Sequence, residues 1–359
     1  MTQADTVEEL GAEYFQDPYA VHERLRARRP VSQVIMPGGG TPVWMITGYA
    51  EVRAALADPR LGKTVPGWHP DPDSIGALDG HMLNSDPPDH GRLRRLVNKA
   101  FTTRRVEQLR PRITAITAAL LDDMSASREV DLLASFAFPL PITVICELLG
   151  IPVADRDDFR AWSASIVSNT VTQDVFMEHA TAMVRYFKAL LAAKRREPAD
   201  DLLSALVLAR DEGDALRETE LISMVFLLLV AGHETTVNLI ASGMLALLLN
   251  PGELGRLRAD PSLRGAAVEE LLRYTSPVNH ATFRFATEPI EIGEARIGRG
   301  AGARGAELSE SGSVPVRRPG PAGSGPGQLG PAGVRARHPL LPGRPAGPAR
   351  GGDRVRRPA

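Results

Sequence analysis

Apolar positions along this 359-residue chain recur with a helical period from residue 90 onward. That period predicts helices over 90–100, 104–125, 140–149, 154–169, 173–196, 202–210, 218–250, 251–259 and 263–274. Ahead of them, Asp17-Pro18 opens an amphipathic segment running to Ala27, with Pro18 suited to a first helical turn. Two short β-branched runs, 30–35 and 42–47, flank Gly38-Gly39-Gly40 and read as a small hairpin, followed by a helix over 49–57. Residues 62–89 are rich in Gly, Pro and Asp and read as a long loop, a kind that often carries function. The pattern turns extended again over 283–297, where Ile290, Ile292 and Ile297 stand among polar residues. The predicted fold class is mainly α with a minor β part.

Residues 221–250 form the most apolar stretch, about thirty residues and long enough to span a bilayer. Its centre reads Ala231-Gly232-His233-Glu234-Thr235-Thr236. A mid-helix glycine costs roughly 1 kcal/mol against alanine, and a buried unpaired carboxylate costs more. A charge at mid-bilayer is expensive as well, no second span accompanies it, and residues 1–25 lack a signal-peptide pattern. The stretch therefore reads as the central helix of a large soluble domain, interrupted for a chemical reason.

Hydrophobic content of 43% and charged content of 24% are those of an ordinary soluble protein. A single cysteine and no targeting segment point to the cytoplasm and to no disulfide framework. The net charge of −1 hides an asymmetry. Residues 301–359 hold ten Arg against Glu307, Glu310 and Asp353, a balance of +7, which leaves −8 for the body. With 13 Gly, 10 Pro and no periodic apolar face, this tail cannot bury enough surface to order itself. Residues 1–300 are thus expected to form the folded domain and 301–359 a disordered tail. The tail has no aromatic to stack on bases, which disfavours a nucleic-acid arm.

Four local signals carry chemistry. Gly232 and Thr235, three apart, share a helical face on which a small residue admits a flat group and Glu234 and Thr235 can serve a proton route. Glu270 and Arg273 stand at i, i+3 in an apolar helix, a spacing that by itself would be a solvated ion pair. His90 and Arg94 stand at i, i+4 after the turn Asp86-Pro87-Pro88-Asp89 and suit an anionic ligand, or else simply face solvent. Arg284 sits in the extended run Ala281-Thr282-Phe283-Arg284-Phe285.

In this order, from about Asp17 to Gly300, the signals resemble the cytochrome P-450 family of heme-thiolate monooxygenases, and the soluble bacterial type of actinobacterial biosynthesis most of all. Ala231, Gly232, Glu234 and Thr235 match the family's central-helix motif, Ala/Gly-Gly-x-Asp/Glu-Thr. The resemblance implies that Glu234 and Thr235 are catalytic, managing proton delivery to bound dioxygen, with Ala231 and Gly232 lining the cofactor. It implies heme b as cofactor, its propionates held by His90, Arg94 and Arg284 through charge-assisted bonds. Glu270 and Arg273 would match the family's structural Glu-x-x-Arg pair. The loop over 62–89 falls where the family contacts substrate.

The chain departs from the family at the axial ligand. Heme iron in these enzymes takes a cysteine thiolate, carried in a Phe-Gly-rich loop well after the Glu-x-x-Arg helix. Here the one cysteine, Cys146, lies in the apolar helix 140–149 and reads as a small core residue, so no metal ligand is assigned. The genetic code offers an account. Read from each codon's second base, residues 333–344 permit A-F-G-H-G-I-H-x-C-L-G-A, the missing loop with its cysteine spanning Leu341 and Pro342. The same shift over 310–323 permits S-R-D-P-S-R-F-A-D-P-D-R-L-D, also of the family's type. Two matches in one register point to a frameshift near Gly300.

The expected function is insertion of one atom of dioxygen into a small organic substrate, a polyketide-type secondary metabolite by resemblance. Electrons would come from NAD(P)H through a separate ferredoxin and reductase, with no nucleic acid or membrane involved. The chain as written is expected to be inactive for want of its thiolate. The alternative is a non-catalytic small-molecule-binding remnant of the same fold, and a tail-driven nucleic-acid partner is a further rival.

Overall fold

A computed structural model describes residues 7–37, 40–64, 74–167, 172–211, 214–300 and 302–305. The glycine pair at the hairpin tip, the middle of the long loop, the end of the helix expected over 154–169 and residues 306–359, with both frame-shifted stretches, lie outside them.

The N-terminal part mixes short strands and helices: β1 (Glu8–Glu9), α1 (Glu13–Gln16), α2 (Pro18–Arg28), β2 (Val31–Ile35), β3 (Val43–Ile46), α3 (Tyr49–Ala57) and β4 (Leu61–Gly62). Asp17 caps α2 by accepting a hydrogen bond from the Ala20 amide at 3.1 Å, and Pro18 takes the first turn, where its missing N–H costs nothing. The expected hairpin forms: β2 and β3 pair antiparallel, Val31 opposite Ile46 and Val34 opposite Val43. Val31, Val34, Met45 and Ile46 all point inward.

The helical body follows with α4 (Asp89–Ala100), α5 (Thr103–Ser125), α6 (Pro139–Leu149), α7 (Arg156–Val167), α8 (Gln173–Arg196) and α9 (Leu202–Leu208). Thr102, Thr172 and Asp201 cap α5, α8 and α9 through side-chain oxygens, and Gly150 ends α6 in the left-handed conformation at φ 67°. The loop before α4 carries two short 3₁₀ turns, Ile75–Leu78 and Met82–Asn84. The helix expected to run to Arg210 stops at Leu208. Arg210–Asp211 and Asp214–Ala215 pair instead as β5 and β6.

Next come α10 (Glu218–Leu249), α11 (Pro251–Ala259) and α12 (Arg264–Thr275), then β7 (Arg284–Ala286), β8 (Ile290–Ile292), β9 (Ala295–Ile297) and β10 (Gly302–Gly305). β10 lies beyond the change in composition at residue 300, yet runs parallel to β3 and antiparallel to β7. It completes a six-stranded sheet in the order β1-β2-β3-β10-β7-β4.

The main core gathers α4 and α6 to α10 around Leu96, Cys146, Leu149, Phe159, Met183, Phe187, Leu191, Leu202, Ile222 and Leu229. Smaller clusters fill each side of the sheet, one around Val31, Ile46, Leu61 and Ala286, the other around Leu10, Tyr14, Leu25 and Met45. α10 is long and apolar enough to cross a membrane by length and composition. From Leu221 to Val225 it is buried on every side, as a central helix should be. Its second half differs: Leu245, Leu248 and Leu249 are more than half exposed.

Candidate active site

Mid-way along α10 the buried sequence opens. Ala231, Gly232 and Thr236 are exposed, Glu234 and Thr235 are half-buried, and His233 between them is fully buried. The Thr235 hydroxyl donates to the Ala231 carbonyl at 2.8 Å, and Thr236 donates to that of Gly232 at 3.2 Å. These consecutive back-bonds to the preceding turn loosen a helix at that turn. An ideal Cβ on Gly232 would sit 3.0 Å from Cδ1 of Ile145. The glycine therefore lets α6 approach α10, a helix-packing role that the expected cofactor-lining role did not anticipate.

Glu234 turns toward its neighbour: Oε1 lies 3.1 Å from Nε2 of His233. That imidazole is fixed at its other nitrogen by the Leu229 carbonyl at 2.8 Å, and Ser163 on α7 reaches Nε2 at 3.2 Å. No sequence signal singles out His233, because helical spacing alone does not separate a core histidine from a working one.

A second centre forms where the long loop meets β7. Asp86 accepts backbone hydrogen bonds from Lys63 at 2.9 Å and from Thr64 at 2.9 Å. Gly62 leaves room for it, since a Cβ there would lie 2.9 Å from Oδ2 of Asp86. Burial opposes the Asp86 charge, but the Thr64 and Lys63 amides outweigh it and hold the carboxyl below its usual range. Arg284 is half-buried, donates from Nη1 to the Leu61 carbonyl at 3.3 Å, and has a buried Nε without a hydrogen-bond partner among the described residues. Burial lowers the Arg284 pKa, with the Asp86 charge acting against it. Burial also lowers that of Lys63, reinforced by the charge of Arg284.

His90 joins this centre through its backbone, its N–H donating to the Asp86 carbonyl at 3.0 Å. It is half-buried on α4, and Arg94, one turn on, is exposed. Lys63 and Asp86 are 23 positions apart, so no local spacing signals their meeting. Glu270 and Arg273 make a two-pronged pair on α12, Nε to Oε2 at 2.8 Å and Nη2 to Oε1 at 2.6 Å, both partly buried. This is a stronger arrangement than a solvated pair, because the planar fork meets both carboxylate oxygens.

The chain is 49% identical over 304 residues to cytochrome P450 107B1 of Saccharopolyspora erythraea, covering 80% of this chain and 73% of that protein. The chain belongs to the cytochrome P450 family. It is also 48% identical over 293 residues to the cytochrome P450 monooxygenase PikC of Streptomyces venezuelae, covering 79% of this chain and 68% of that protein. Among solved structures it superimposes on the tirandamycin C-bound P450 monooxygenase TamI with a TM-score of 0.76 and 48% identity, covering 84% of this chain and 78% of that one. No protein-family model matches it. At family level this is a P450 monooxygenase fold, an oxidoreductase type that implies heme.

The residues of this P450 fit that group at its edge and not at its iron. A buried guanidinium Nε without a hydrogen-bond partner among the described residues, beside a second cation, suits a carboxylate such as a propionate. The only cysteine does not suit iron. Cys146 is fully buried in the core of α6, and burial pushes its thiol up to about 11, so it is not a thiolate at neutral pH. Among the described residues no cluster of three His, Cys, Asp or Glu could hold a metal ion.

Proposed function

We propose that this chain carries the scaffold and proton-handling residues of a P450 monooxygenase without the thiolate that heme iron requires. The observation that carries this reading is the burial of its one cysteine in α6. In this reading Glu234 and Thr235 are the catalytic acid and alcohol, and Ala231 and Gly232 border the cofactor. His90, Arg94 and Arg284 bind its carboxylates, and Glu270 with Arg273 braces α12. The Arg284 Nε, without a hydrogen-bond partner among the described residues, and the forked Glu270–Arg273 pair support these roles.

The P450 domain spans residues 1–300, to whose sheet the strand β10 adds, and 301–359 is out-of-frame translation beginning near Gly300. The in-frame protein oxidises a small organic substrate of polyketide type, as relatives such as the polyketide biosynthesis P450 PksS of Bacillus subtilis suggest. It works in the cytoplasm on electrons from a ferredoxin and an NAD(P)H-dependent reductase, without nucleic acid or membrane. The chain as written keeps at most the role of a small-molecule binder.

Resequencing the DNA between the codons for Ile297 and Ser309 tests the origin of the tail. A gene corrected by a single-base shift there yields a protein that retains heme through purification, whereas the uncorrected chain loses it. Equal heme retention by the two proteins contradicts the proposal.

A further inference from the structure

Three polar side chains from separate parts of the chain meet at one point: Tyr14 on α1, His22 on α2 and His280 in the segment between α12 and β7. Nε2 of His280 stands 3.2 Å from Nε2 of His22, and the Tyr14 hydroxyl closes on that same His280 nitrogen. Tyr14 belongs to the apolar cluster of Leu10, Val21 and Leu25, His22 is buried beside it, and His280 is half-buried. Hydrogen bonding satisfies this trio only in part. An imidazole Nε2 presents either one N–H or one lone pair, whereas Nε2 of His280 faces two neighbours. A metal ion has no such limit, since it accepts a lone pair from each donor. The spacing also fits one. Two imidazoles on one tetrahedral ion, about 2.0–2.1 Å from it, hold their nitrogens roughly 3.3 Å apart and their ring centres roughly 5 Å apart. Here the nitrogens are 3.2 Å apart and the ring centroids 5.1 Å, with the planes crossed at 83°.

We propose that His22, His280 and Tyr14 form a binding site for a divalent transition ion of the class that imidazole prefers, Zn2+ being its simplest member. Nε2 of each histidine supplies a lone pair. Tyr14 supplies its oxygen, the hydroxyl proton passing to solvent as the ion binds, and a water completes the tetrahedron. Tyr14 and His280 stand 266 positions apart, so no spacing motif announces the site. Arg26, one turn beyond His22, opposes the ion by its charge. Its guanidinium reaches the Thr47 carbonyl at 3.4 Å, and it limits the affinity without closing the site. An ion here would staple α1 and α2 to the segment that leads, four residues on, to Arg284. The site goes beyond the monooxygenase reading and does not depend on it.

The test is a calorimetric titration of Zn2+ into the full chain, stripped of metals by a chelator and carrying no affinity tag. Saturation at about one ion per chain is expected. His22→Gln and His280→Gln should each weaken binding by about tenfold or more, since losing a group outside the ligand set already costs that much. Tyr14→Phe should weaken it less. His179→Gln should leave it unchanged, because that ring meets Ser165 instead. Zn2+ should also raise the urea midpoint of the unaltered chain and not that of His22→Gln. The absence of saturable binding overturns the proposal. So does binding that His22→Gln and His280→Gln both leave intact, which would be adventitious coordination by other histidines. Should those variants fail to fold, 15N spectra of the unaltered chain decide: Zn2+ is expected to shift the Nε2 signals of His22 and His280, and unmoved signals sink the site.

Discussion

Gly232 shows how a single hydrogen in place of a methyl sets the distance between two helices. A Cβ there would meet Ile145 Cδ1 at 3.0 Å, tighter than ordinary carbon–carbon contact, so that side chain would have to give way. Gly232→Val is therefore expected to destabilise the protein by roughly 1–3 kcal/mol, the cost of overpacking a core. The loss should shrink in an Ile145→Val background, measured by urea unfolding. An equal loss in both backgrounds would deny the contact. The residue types here were legible in the sequence, since a glycine, an acid and two hydroxyls are conspicuous in an apolar run. Their partners were not: Ser163 stands 70 positions from His233, and Ile145 lies on another helix. Nor does anything near Arg284 in sequence announce Lys63 and Asp86.

α10 is two helices in one. Leu229 is fully buried, whereas Leu248 is 60% exposed. Leu229→Ala is expected to cost roughly 2–5 kcal/mol, as a cavity in a packed core does. Leu248→Ala should change stability by no more than about 0.5 kcal/mol. Comparable losses from both, read from urea midpoints, would mean that the second half is covered as well as the first. On α12, a double-mutant cycle on Glu270 and Arg273 should give a coupling of about 0.5–1 kcal/mol, because both groups remain partly solvated. Among the elements, the hairpin of β2 and β3 was readable from local alternation and α10 from its length. β10 was not, since Gly-Ala-Arg-Gly has no strand pattern and is recruited only by β3 and β7 on its flanks.

For the molecule as a whole, two buried histidines set an acid limit. Burial pulls both His22 and His81 down from 6.5 to about 4, reinforced for His22 by the Arg26 charge. Between those values the unfolded chain binds protons that the folded one refuses, so stability rises with pH there and falls on acidification. The loss is complete near pH 4 and is on the order of a few kcal/mol. Urea unfolding at pH 7, 5 and 4 should show it, and His22→Gln with His81→Gln should flatten it. An unchanged slope in that double variant would rule these groups out.

At the same scale lies the division between a P450 scaffold, legible from its motifs, and a missing ligand, legible from a cysteine in the wrong helix. Helical burial explains why Cys146 cannot substitute: its thiol is held protonated in the main core. The most direct test is a reduced, carbon-monoxide difference spectrum of the purified chain supplied with heme. No Soret band at the position of thiolate-ligated heme is expected, and a band there would contradict the account.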